Sequence, residues 1–137
     1  WPNPISGGFE VNIEYYLIRT ECEFRQVVVS IPLPPGAKSP VVGNCDGDYE
    51  TGSRRGHLEW HLPVINADSP TGSIEFTVGT VDQAAGTSVN SFFPLSVSLQ
   101  SDRSFFSISV AEAADDHNEP VPFSVETRLY AEKYEIV

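Results

Sequence analysis

Glu10, Glu14, Glu21 and Glu23 crowd the start of the chain. Paired carboxylates can share acid and base roles in glycoside chemistry. The plainer reading is a solvated strand face for Glu10 and Glu14, because acid–base pairs usually come from different elements that meet in a cleft. Asp46-Gly47-Asp48, followed by Glu50, offers oxygens to calcium. An EF-hand loop needs alternating oxygens, a central glycine and a distant glutamate between two helices, and that context is missing. Asp and Gly are also what a tight turn requires, and the turn is the better reading.

His57 and His61 share one face of an extended stretch. At that spacing they stand about 13 Å apart along the backbone, too far to share a zinc ion. His117 falls in a loop, so the sequence gives no metal ligands and no cofactor. There is no G-x-S-x-G elbow and no glycine-rich phosphate loop. Hydrolysis ranks last among the functions. Cys22 and Cys45 are the only cysteines, with acidic flanks that raise a thiol pKa. They would be bridged in a secreted protein and reduced in a cytosolic one. Trp60 reads as core, with a stacking platform for sugar or peptide as the alternative. Among Tyr15, Tyr16, Tyr130 and Tyr134 the sequence does not separate surface contacts from packing.

The elements that carry these residues are strands. Residues 26–65 organise the chain. Val27, Val29, Ile31 and Leu33 alternate with Val28 and Ser30, the period of a strand with one face on a core. Pro32, Pro34, Pro35 and Gly36 stop it, since proline donates nothing to a ladder. Turns follow at 44–48 and 51–56. Leu58, Trp60, Leu62 and Val64 then line one face, with His57, Glu59 and His61 on the other. Upstream, residues 1–8 are a proline-stiffened lead-in. Phe9, Val11, Ile13, Tyr15 and Leu17 form the clearest amphipathic strand.

Downstream, Ile74, Phe76 and Val78 form a short strand, and 79–90 a connection rich in small residues. Phe93, Leu95, Val97 and Leu99 form the next strand. Phe106, Ile108 and Val110 form another, and the last begins at Phe123, Val125, Thr127 and Leu129. Tyr134 and Ile136 suggest a further extended piece. No window has a helical period. Strands at this spacing, with turns between, predict an all-β antiparallel sandwich.

The chain has 137 residues, room for one domain with a full core. Its net charge of −11 repels nucleic-acid phosphates and anionic lipid heads. The basic residues are scattered apart from Arg54-Arg55. No apolar run is long enough to span a bilayer and no signal-peptide pattern opens the chain. Methionine is absent, which suggests a fragment or a processed chain. An open sandwich with no reactive centre can still accept a peptide along an edge strand.

Five segments carry a resemblance: FEVNIEYYL at 9–17, the block VVVSIPLPPGAKSPVVGNCDGDYETGSRRGHLEWHLPVI at 27–65, TGSIEFTV at 71–78, FFPLSVSL at 92–99 and PFSVETRLYAEKYEIV at 122–137. Together they resemble the C-terminal part of the coatomer delta-subunit (delta-COP, archain) family of the COPI coat. The DGDY…SRR…LEW run is the most specific part. The resemblance implies a mu-homology domain built of two sandwiched subdomains. Residues 9–100 would be the inserted subdomain and 101–137 the returning strands of the first, whose upstream half is absent. Those strands would pack on the inserted subdomain, pair between molecules or stay loosely ordered.

It further implies a non-enzymatic coat and adaptor module with no cofactor, cytoplasmic and peripheral on Golgi membranes and COPI vesicles. Its work would be Golgi-to-ER retrograde and intra-Golgi transport. Its partners would be other coatomer subunits and tethering proteins with acidic tryptophan motifs, with membrane contact only through the coat. Clathrin-adaptor medium chains bind tyrosine signals partly through a Trp-x-Arg on a late strand. Here that strand reads Ser124-Val125-Glu126-Thr127-Arg128, so the tyrosine site does not carry over. An acidic ligand would need basic contacts. Arg128 and Lys133 are the first choice for these, and Arg54 and Arg55 the second. The alternative is a secreted or surface sandwich binding carbohydrate or peptide, with a Cys22–Cys45 disulfide.

Overall fold

A computed structural model describes residues 2–52, 56–80, 88–103 and 108–137. Among these described residues nine strands form two antiparallel sheets: β1 (Pro2–Ile5), β2 (Gly8–Tyr16), β3 (Phe24–Pro32), β4 (Val41–Cys45), β5 (Asp48–Thr51), β6 (His57–Ile65), β7 (Thr71–Gly79), β8 (Leu95–Ser101) and β9 (Leu129–Ile136). One sheet runs β1-β2-β7-β4 and the other β5-β6-β3-β8-β9. A 3-10 turn, Val89–Phe92, is capped by Ser88, whose hydroxyl accepts from the Asn90 amide.

The core is the alternating set expected of two facing sheets. In the first sheet Phe9, Val11 and Ile13 stand opposite Val78, Phe76 and Ile74. In the second, Val27, Val29 and Ile31 stand opposite Leu62, Trp60 and Leu58. These side chains form one cluster with Leu17, Ile65, Phe92 and Leu95. Trp60 is 1% exposed, so it is a core residue and not a platform. Each buried side chain of this size contributes about 1.5–3 kcal/mol of transfer free energy.

Several elements differ from the sequence reading. Residues 2–5 form edge strand β1 on β2. Its prolines at alternate positions leave one side of the strand short of donors, which suits an edge. The crossing between the two core strands holds β4 and β5, each with its own partner. Val64 is exposed and Ile65 is buried in its place, so the alternation of β6 breaks after Leu62.

The strand expected at Phe106, Ile108 and Val110 does not form in its described part. Ile108 is 74% exposed and residues 108–110 belong to no ladder. Phe106 lies outside the described residues. The last strand begins at Leu129, because Phe123 and Val125 have the right alternation but no strand among the described residues to pair with. Leu129–Ile136 packs on the rest of the chain by pairing with β8. Cys22 and Cys45 are both free thiols, so the disulfide of the alternative reading is not formed.

Candidate peptide-binding surface

Among the described residues β9 is the last strand of its sheet, so one side of it is an unpaired edge. Such an edge presents free amides and carbonyls that an extended peptide can pair with. Its register on β8 sets Ile136 opposite Leu95, Tyr134 opposite Val97 and Ala131 opposite Leu99. A bulge between Val97 and Leu99 shifts the strand and re-aims its side chains. Tyr130, Tyr134 and Ile136 remain substantially exposed.

Beside this edge the two sheets part around a pocket of about 250 Å³. Val11, Ile13, Ile31, Phe92, Leu95 and Ile136 are among the residues that line it. The 3-10 turn places Phe92 there, and Phe92 meets Phe9 edge-on with centroids 5.3 Å apart. Small-molecule and cofactor sites usually run from about 300 to 1,000 Å³. This pocket suits one aromatic or aliphatic side chain.

Arg128 precedes β9 and Lys133 lies within it. The Arg128 guanidinium binds the Glu126 carboxylate, and Lys133 Nζ stands 2.5 Å from Glu135 Oε1. Glu126 and then Tyr130 raise the pKa of Arg128 further. One cation thus stands just before β9 and the other within it, each with a local acidic partner. Arg54 and Arg55 lie outside the described residues. Arg25 is likewise paired, with Glu23 and Asp102.

The other sequence candidates separate. Glu10 and Glu14 are exposed on β2. Asp46 is taken up structurally, as its Oδ2 accepts from the Ser73 amide at 2.8 Å. Burial pushes the Cys45 thiol pKa up, with Asp46 and Asp48 adding to it. His57 and His61 stay on one strand, but His61 gathers with Glu59 and Glu50 of the neighbouring strand. That grouping arises from cross-strand register, which spacing along one strand does not reveal. The pocket was missed for the same reason, since its walls come from both sheets.

The profile of the adaptor complexes medium subunit family matches residues 2–136. The chain belongs to that family.

Within it, the chain is similar to coatomer delta subunits along its whole length. It is 38% identical to the probable coatomer subunit delta of Caenorhabditis elegans, over all of this chain and 25% of that protein. It is 30% identical to coatomer subunit delta-4 of Oryza sativa, over all of this chain and 35% of that one. The chain therefore spans between a quarter and about a third of these relatives. Among solved structures, the fold matches the yeast delta-COP-I mu-homology domain complexed with a Dsl1 WxWxV peptide. The TM-score is 0.68 at 21% identity, covering all of this chain and 55% of that one. The all-β class and the mu-homology fold both follow. Among the described residues, no helix is long and apolar enough to cross a membrane.

Proposed function

We propose that the chain is a non-enzymatic peptide-binding module of the COPI vesicle coat, acting in Golgi-to-ER retrograde and intra-Golgi transport. The observation that carries this is the apolar pocket beside the unpaired edge of β9, in a chain similar throughout to coatomer delta subunits. An extended segment adds to the edge through main-chain hydrogen bonds, and one aromatic side chain fills the pocket. Acidic residues of the ligand approach Arg128 and Lys133; Arg54 and Arg55 are the second choice for a basic contact. The present partners of Arg128 and Lys133 are exposed surface pairs. Such pairs add little to stability, so exchanging one acidic partner for another costs little. The ligand class is then an acidic, tryptophan-containing motif of a tethering protein. The yeast domain that shares this fold was solved with a tryptophan-containing peptide.

In this reading the remaining partners are other coatomer subunits, and the chain works in the cytoplasm, peripheral on Golgi membranes and COPI vesicles. It touches membranes only through the coat and binds no nucleic acid. In this reading 1–8 is a lead-in, 9–100 an inserted subdomain and 101–137 the returning part of a first subdomain. The exposed Ile108, Val110, Phe123 and Val125 support a covering partner for that last part. Calorimetric titration with an acidic peptide containing tryptophan tests the site. Saturable binding that disappears when the peptide's tryptophans become alanine is expected, and equal binding of both peptides would refute it.

A further inference from the structure

We propose that the outer face of the five-stranded sheet carries a divalent metal site formed by Glu50, Glu59 and His61, suited to zinc. The register builds it. Glu50 of β5 stands opposite Glu59 of β6, and Asp48 opposite His61. Glu59 and His61 are two residues apart, so they point to the same side of β6. One ligand atom from each of Glu50, Glu59 and His61 lies within 4.8 Å of the others. Two carboxylates directly opposite on neighbouring strands repel. They do so here in a chain of net charge −11, where a cation would offset the cost.

A second observation is independent of the carboxylates. The His61 Nε2 and Ser30 Oγ atoms are both buried, with no hydrogen-bond partner among the described residues. Ser30 is only 8% exposed, and on β3 it stands directly opposite Glu59. The acidic pair and the unpartnered hydroxyl therefore occupy consecutive positions across three strands. Nε2 stands 3.9 Å from Glu59 Oε2, beyond hydrogen-bond reach. Buried polar atoms without partners are rare, and each needs a physical reason. An ion bound by Nε2 and the two carboxylates supplies one. The Ser30 hydroxyl then donates to a ligating carboxylate, as outer partners of metal sites do.

The donor set selects the ion. One imidazole nitrogen with carboxylate oxygens suits zinc, whereas calcium and magnesium take oxygen shells. The side chains of Glu59 and His61 are 20% and 38% exposed, which leaves a path for the ion. A bound ion would tie edge strand β5 to β6 and cover part of that edge.

The test is calorimetric titration of the full chain with zinc chloride, in a Cys22→Ser, Cys45→Ser background so that thiols do not compete. One ion per chain is expected, with no comparable magnesium binding. Glu59→Gln and His61→Gln should abolish the saturable phase, and Ser30→Ala should weaken it about tenfold or more. NMR of the unsubstituted His61 ring guards against misfolded variants, and its resonances should shift on zinc addition. Absence of saturable zinc binding, equal magnesium binding, unchanged affinity in both ligand variants, or an unmoved His61 ring would each overturn the proposal.

Discussion

The indole Nε1 of Trp60 donates a 2.6 Å hydrogen bond to the main-chain carbonyl of Asp46. Asp46 sits between β4 and β5, where the chain passes from one sheet to the other. Its amide donates to the Ser73 carbonyl at 2.9 Å, and its carboxylate accepts from the Ser73 amide. One turn residue is thereby tied to β6 in one sheet and β7 in the other. The Tyr15 ring closes the arrangement, 5.8 Å from the indole.

Trp60→Phe should cost about 1–3 kcal/mol in urea unfolding, because it removes the indole donor and leaves the Asp46 carbonyl with only the weak Cys45 thiol at 3.6 Å. Trp60→Ala should cost about 3–5 kcal/mol through loss of buried volume. Neither change touches β9, so peptide affinity of the folded fraction should stay the same.

Gly47→Ala should destabilise by more than about 1 kcal/mol. Gly47 has a φ of +82°, and a Cβ there would stand 2.4 Å from the His61 carbonyl oxygen. Gly36 has a φ of +71° but nothing within 4 Å of the same position. Thermal melts should rank Gly47→Ala well below Gly36→Ala. Equal melting temperatures would show that the turn can relax.

Glu23 should titrate below the ordinary glutamate range. The Asn66 amide, 3.2 Å away, lowers its pKa most, followed by Arg25. A depressed carboxylate contributes stability that is fully present above its unfolded-state pKa and is lost as pH falls through the folded value. NMR titration should show the Glu23 pKa rise toward its ordinary value in Asn66→Ala. An unchanged titration would remove Asn66 as the cause.

Cys45 should react slowly with iodoacetamide near neutral pH. Burial first, and then Asp46 and Asp48, disfavour its thiolate, which is the reacting form. Asp48→Asn should speed alkylation modestly. A rate for Cys45 equal to that of a free cysteine would contradict the burial.

The alternation of Phe9, Val11, Leu58, Trp60, Ile74 and Phe76 made the sandwich legible, because a face buried on one core imposes a period of two. β4 and β5 were not legible. Their short runs around Gly43 and Gly47 read as turn, and only pairing with β7 and β6 makes them strands. The alternation at Phe123 and Val125 misled in the opposite direction, since a two-residue period without a partner forms no ladder. Arg128 and Lys133 could be named from charge scarcity, but their pairing with Glu126 and Glu135 depends on local geometry. The pocket at Ile136 joins residues from both sheets, so no local pattern announces it.

The most direct measurement is calorimetric affinity for one acidic tryptophan peptide, compared between the parent chain and an Arg128→Glu, Lys133→Glu double variant. Reversing both charges beside the β9 edge should weaken binding by about tenfold or more, since like charges across an interface cost several kcal/mol. Unchanged affinity in the double variant would contradict a peptide site at β9.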